Sequence, residues 1–294
     1  MADDRDAHGT GRQYALDCCP VSLWLGVPGY KLQRLLGTGV FGRVFQGKRD
    51  GDGDGDMEVA IKVVGAHSSA SQCLENEVAA LTALKGVEGV PQIVASGSAF
   101  LVMKPVGKPL PTTAAPMTFT RKCAMQLFEI LKRIHHHGYA HGDVRPANIV
   151  YHGDGIMLVD YGGAQQLGRY PDDYVGTFTT ASDSILDALV SFAKGGAMPH
   201  VKPVDDVISA VRTIALFTLP GVWAACRQVP QHDAQGMKDF WASLPQLWKD
   251  IEGAVTTAVT GPGIYDAGKR VCDTLFEKTF GGDLAARPLY PLPS

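Results

Sequence analysis

A chain of 294 residues that is 45% hydrophobic and 19% charged has the make-up of an ordinary globular protein and is too apolar for a disordered one. A formal net charge of −3 argues against a surface built for nucleic acid or anionic membrane, and no apolar run nears the roughly 20 residues that span a bilayer. The polar, acidic first eleven residues lack the basic-then-apolar order of a secretory signal, so a cytosolic or nuclear address is expected.

Six cysteines (Cys18, Cys19, Cys73, Cys123, Cys226 and Cys272) show neither C-x-x-C spacing nor the density of a disulfide framework, and are expected to be reduced and mostly buried. Residues 1–29 read as a leader. Residues 30–36 and 44–48 then read as strands around a glycine-rich turn, and valine-rich 59–64 as a third strand. Between the last two lies a run of alternating glycine and aspartate. Asp50, Asp52 and Asp54 have the spacing of calcium-loop ligands, but Ile61 stands where the closing glutamate belongs and a strand follows, so a solvated loop is expected.

Residues 71–85 read as a helix with Leu74, Val78, Leu81 and Leu84 on one stripe. Residues 92–96 and 100–103 are two more short strands, and 104–116, with four prolines and a glycine, reads as a linker. Residues 120–137 form a second helix with Ala124, Leu127, Phe128, Leu131 and Ile134 on one face and Gly138 placed to end it. The remainder is mostly helical. A strand-rich third thus joins a helix-rich remainder through a short linker, and the cleft between them is the expected ligand site.

Four motifs carry chemistry. Gly37-Thr38-Gly39-Val40-Phe41-Gly42-Arg43-Val44 lies between two strands, whereas a dinucleotide fingerprint opens a helix; here the backbone can cover phosphates closely. Val59-Ala60-Ile61-Lys62 puts a lysine inside an apolar strand, where it needs an anionic partner. On the 71–85 helix, Glu77 falls about 45° from the centre of the apolar stripe and Glu75 about 115° away, so Glu77 faces inward toward Lys62. His141-Gly142-Asp143-Val144-Arg145-Pro146-Ala147-Asn148 and Asp160-Tyr161-Gly162 add two carboxylates and an amide, a set suited to metal-assisted phosphoryl transfer.

Together and in this order, the four motifs resemble the signature of the eukaryotic-type protein kinase family: glycine loop, V-A-I-K, helix glutamate, H-R-D-x-x-x-x-N and D-F-G. The resemblance extends over residues 30–290 through Gly176-Thr177, Asp205-Asp206 and Asp283-Leu-Ala-Ala-Arg287-Pro288. It implies an α+β, bilobal fold: a small β-rich lobe over 30–103, a hinge at 104–108, a mainly helical lobe over 109–290, and a tail at 291–294. It also implies ATP and Mg²⁺ as cofactors and serine or threonine of a protein as acceptor, with neither nucleic acid nor membrane as partner. Gly37, Thr38, Gly39, Gly42, Val44, Ala60 and Lys62 would line the nucleotide site. Met103 would be the gatekeeper, and Lys104 and Val106 would offer hinge backbone to adenine. Asn148 and Asp160 would hold magnesium. Lys62, paired with Glu77, would hold phosphates, and Asp143 would orient the acceptor hydroxyl with Arg145 beside it.

The chain departs from the family pattern at several points. Gly142 replaces the arginine that binds a phosphorylated activation loop, which implies that phosphorylation of Thr177 is not the activating event. Arg145 replaces a lysine, as in some tyrosine kinases, while Pro146 points back to serine and threonine. Tyr161 replaces phenylalanine. The A-P-E that should pair with Arg287 is missing, and Asp183 and Asp187 are candidate stand-ins. His135, His136 and His137 are expected to be solvated at a helix end, and Trp223, Trp241 and Trp248 to serve in packing. The H-G-D form also occurs in aminoglycoside- and choline-type small-molecule kinases, which share the two-lobed fold. A nucleotide-binding pseudokinase is a third reading.

Overall fold

The structure, a computed structural model, describes residues 26–50, 57–65, 68–110, 119–169, 174–219, 221–230, 232–244 and 263–280. Cys18, Cys19, Asp52, Asp54, Trp248, the 111–116 part of the linker and the 283–288 motif lie outside the described residues.

Five antiparallel strands form the first layer: β1 (Tyr30–Thr38), β2 (Gly42–Arg49), β3 (Glu58–Val64), β4 (Gln92–Gly97) and β5 (Phe100–Lys104), in the order β1-β2-β3-β5-β4. The period of two decides what β3 does. Val59, Ile61 and Val63 join Val27 and Val102 in an apolar cluster on one face. Ala60 and Lys62 alternate with them and face the cleft. Register sets Val44 opposite Lys62 and Ala60 opposite Met103, so one patch of the sheet carries all four.

Helix α1 (Ser68–Ala83) begins three residues before the expected start. Ala70, one turn before Leu74 and 3% exposed, extends the buried stripe through Leu74, Glu77, Leu81 and Leu84, and the longer stripe draws the chain into the helix earlier. After β6 (Lys108–Pro109), helix α2 (Arg121–His136) starts at Thr120, whose Oγ1 accepts from the Cys123 N–H, and Gly138 follows it at φ 80°. Its expected apolar face is buried, but His135 belongs to that face too, one turn after Leu131. Contrary to the solvated role expected for it, His135 is bonded on both sides: Nδ1 to the Tyr265 hydroxyl at 2.7 Å and Nε2 to Asp206 at 2.9 Å.

Two short ladders follow. β7 (Tyr139–Ala140) pairs with β10 (Gln165–Gln166), and β8 (Ile149–His152) lies between β6 and β9 (Gly155–Leu158). The rest is helical: α3 (Asp183–Phe192), α4 (Pro203–Thr218), α5 (Val222–Cys226), α6 (Ala234–Ser243) and α7 (Gly263–Phe280). α4 is buried from Asp205 to Thr218 and packs against α2 and α7, a helix enclosed on all sides. A β-rich small lobe and a helical large lobe make an α+β, bilobal molecule. No helix among the described residues is long and apolar enough to cross a membrane. Cys73, Cys123, Cys226 and Cys272 are buried and outside any disulfide.

Candidate active site

A cavity of about 260 Å³ opens between the lobes. It is lined by Gly37, Thr38, Gly39, Gly42, Val44, Ala60, Lys62, Glu77, Met103, Asp143, Arg145, Asn148 and Asp160, residues from six separate stretches of chain. Of the loop glycines, Gly42 is demanded by the fold itself, since a Cβ there would sit 2.3 Å from the Val63 carbonyl oxygen, whereas at Gly37 the space is open.

Lys62 Nζ lies 2.5 Å from Glu77 Oε2 and 2.6 Å from Asp160 Oδ1. Burial alone would push the ammonium down, but the two carboxylates outweigh it and hold Lys62 above its ordinary value. One cation faces two carboxylates, and they respond in opposite directions. Burial dominates at Glu77, 1% exposed, and raises it despite Lys62. At Asp160, whose side chain is 39% exposed, burial is overcome by Lys62 and the carboxyl is held below its usual range. Of the two carboxyls that hold Lys62, Glu77 is the one that takes a proton more readily. Glu77 Oε1 also accepts from the Tyr161 N–H at 3.2 Å, tying α1 to the Asp160 turn. Asp160 itself sits at φ 67°, the positive-φ residue other than glycine among those described, a conformation that costs about 1–3 kcal/mol and is kept by its surroundings.

The loop of residues 141–148 is built on the short ladders. Asp143 Oδ1 accepts from the Thr177 N–H and Oδ2 from Asn148 Nδ2, both at 2.8 Å, so the carboxylate is fixed in orientation. Arg145 Nε lies 3.1 Å from Asp143 Oδ2 yet out of line for a hydrogen bond, so it acts on that oxygen by charge. Burial raises Asp143, with Arg145 opposing. His141 Nδ1 accepts from the Asp143 N–H and its Nε2 faces the Val159 carbonyl, which makes it the Nε2–H tautomer. Asp206 receives the N–H groups of both His141 and Gly142, at 2.7 and 2.9 Å.

Among the described residues no group of three or more His, Cys, Asp or Glu is disposed to hold a metal. The donors at hand are the Asp160 carboxylate and the Asn148 amide, whose nitrogen is spent on Asp143 and whose oxygen therefore faces away from it. Two oxygen donors beside a cavity fit a magnesium ion that completes its shell with water and phosphate.

At the hinge, Met103, Pro105 and Gly107 line the cavity, while Lys104 and Val106 do not. β5 ends at Lys104, the chain bends at Pro105 after a cis peptide bond, and Lys104 is exposed. Pro105, Gly107, Val150 and Met157 belong to the cavity wall and went unread in the sequence because each looks like ordinary apolar filling.

Tyr161, at the phenylalanine position of D-F-G, is 0% exposed with its ring edge-on to His141 at 4.8 Å, and its hydroxyl has no hydrogen-bond partner among the described residues. A buried, unpaired hydroxyl costs about 1–3 kcal/mol. Tyr161→Phe is therefore expected to raise the thermal midpoint; an unchanged or lowered midpoint in a calorimetric melt would show that the hydroxyl is satisfied in solution.

Comparison with known proteins agrees with this geometry. CBL-interacting protein kinase 4 of Oryza sativa subsp. japonica is 31% identical over 162 residues, which cover 49% of this chain and 35% of that protein, so the match spans about a third of the relative's length. The family described as Protein kinase domain matches residues 30–189, more than half of the chain, and takes in every cavity residue named above. The chain belongs to the protein kinase domain family.

Proposed function

We propose that the chain transfers the γ-phosphoryl group of ATP to serine or threonine hydroxyls of a protein. The observation that carries this reading is the convergence on one cavity of a lysine held by two carboxylates and a separate carboxylate, Asp143, oriented by two hydrogen bonds. Residues 30–103, 104–108 and 109–290 serve as small lobe, hinge and large lobe. The glycine loop and Val44 and Ala60 cover the nucleotide, with Met103 behind the base and the backbone of Lys104 and Val106 beside it. Lys62 holds the phosphates. Asp143 orients the acceptor hydroxyl and takes its proton, and Arg145 offsets the charge that develops next to it. Asn148 and Asp160 hold Mg²⁺, which when bound draws the phosphates into line and neutralises part of their charge. Pro146 after Arg145 supports serine and threonine as the acceptors.

The test is to incubate the purified chain with γ-labelled ATP, magnesium and generic basic and acidic proteins, beside an Asp160→Asn control. Label on serine or threonine, absent from the control, is the expected result. Label on an added aminoglycoside or choline and not on protein would replace the reading with the small-molecule one. Nucleotide binding without transfer, unaffected by Asp143→Asn, would make the chain a pseudokinase.

Thr177 offers a second prediction. Its N–H lies 2.8 Å from Asp143, so a phosphate on its side chain would place about two negative charges near the Asp143 carboxylate. Gly142 supplies no arginine to receive them. Thr177→Ala is expected to retain activity and Thr177→Glu to reduce it. Loss in the alanine variant with rescue by glutamate would reverse the assignment.

A further inference from the structure

The family's A-P-E pairing with Arg287 was expected to find a substitute in Asp183 or Asp187. Asp187 pairs with Lys238 at 2.6 Å across the surface. Asp183 instead meets a residue that no motif singled out. Arg212, in the middle of α4 and 0% exposed, donates Nη1 to the Ala181 carbonyl and Nη2 to Asp183 Oδ1, the latter at 2.7 Å. Its guanidinium lies 5.0 Å over the ring of Trp241, also 0% exposed, whose Nε1–H donates to the Thr179 carbonyl at 2.9 Å.

A fully buried arginine is costly unless its charge and donors are matched, so its presence marks a contact the fold maintains at some expense. Placement shows what the contact does. α4 carries Asp206, which holds the His141 and Gly142 N–H groups, and Thr213, which holds the Val144 carbonyl. Two turns before Arg212 it carries Asp205, which accepts from the Ser182 hydroxyl at 2.5 Å. One helix thus fixes both the loop bearing Asp143 and the segment 177–183 that runs beside it. That segment touches Asp143 through the Thr177 N–H, and Thr180 Oγ1 donates to the Val144 carbonyl at 2.7 Å. The segment therefore lies beside the carboxylate that the acceptor hydroxyl has to reach. None of Asp183, Arg212 and Trp241 lines the nucleotide cavity.

We propose that Arg212 and Trp241 are positioning residues that lock segment 177–183 against the catalytic loop, replacing the missing A-P-E pair and setting the affinity for the protein acceptor without touching the nucleotide. This rests on the kinase reading for its consequence and on geometry for the lock itself. Asp183→Asn, Trp241→Phe, Arg212→Met and Arg212→Lys, each in the full chain, separate the two. Hydrogen exchange at 177–183 is expected to quicken about tenfold or more in Asp183→Asn, Trp241→Phe and Arg212→Met, while exchange in β3 stays as in the wild type. Affinity for a fluorescent ATP analogue is expected to hold, the acceptor KM to rise more than kcat falls, and Arg212→Lys to recover part of both effects. Unchanged exchange at 177–183 in Asp183→Asn and Trp241→Phe would overturn the lock. So would exchange rising equally in β3 as nucleotide affinity falls, because these residues would then merely support the fold. If no protein acceptor is labelled by the wild type, the kinase reading fails and the exchange measurement still decides the lock.

Discussion

Asp143→Asn is expected to lower phosphoryl transfer about 10²–10⁴-fold, the usual worth of a positioned proton acceptor, while affinity for an ATP analogue is kept. The amide keeps one oxygen, so only one of the Thr177 and Asn148 donors retains its acceptor, and it cannot accept the hydroxyl proton. Asp160→Asn is expected to fail differently, weakening magnesium-dependent nucleotide binding as well, because Asp160 is both the charged partner of Lys62 and one of the two oxygen donors facing the cavity. The pH profile separates them again. Burial raises Asp143, so its ionised, proton-accepting form is lost as pH falls through a value above the ordinary carboxyl range. Asp160 and Asp206 are held below that range, by Lys62 and by the His135 hydrogen bond against the cost of burial, and their contributions to stability are lost only at lower pH. The sign for stability at Asp143 is the reverse: a raised carboxyl disfavours the fold when ionised, and acidification relieves that cost. On acidification, kcat is therefore expected to fall before the thermal midpoint does. Coincident loss of both, or an acid limb that survives in the residual activity of Asp143→Asn, would assign the limb to another group.

What was legible in the sequence follows from how locally each feature is encoded. The inward turn of Glu77 needed only helical periodicity and a count from Leu74 and Leu81. The cleft-facing side of β3 needed only alternation. His135 was misread because three consecutive histidines before a glycine look like a frayed helix end; its place on the α2 face beside Leu131 and Ile134 was open to the same count that succeeded for Glu77. Arg212 and Trp241 were out of reach for a different reason. They lie beyond residue 189, where the family match ends, and Arg212 sits in α4 at a position whose partners, Ala181 and Asp183, are about thirty residues away. Nothing in the spacing of either stretch encodes their meeting, which depends on how α3, α4 and α6 pack.

Gly142→Arg, which restores the family residue, is expected to damage this chain. Gly142 sits at φ 76°, and a Cβ there would come within 2.6 Å of the Gly163 carbonyl oxygen. The backbone conformation alone costs a non-glycine residue about 1–3 kcal/mol, and the contact with a backbone oxygen has no flexible side chain to yield. Relief by rotating the 142 peptide would pull its N–H from Asp206 and shift its carbonyl against Gly176, where a Cβ would already lie 2.3 Å away. Every route therefore moves either Asp143, one residue on, or Thr177, which holds it. Gly142→Ala carries the same backbone cost without the long side chain and is the control for arginine chemistry. Both variants are expected to melt earlier and to lose kcat, with the arginine gaining nothing from phosphate on Thr177. If Gly142→Arg instead melted with the wild type and became more active on phosphorylation, the loop would have room for the arginine and Thr177 would be a switch that this chain lacks only for want of one side chain.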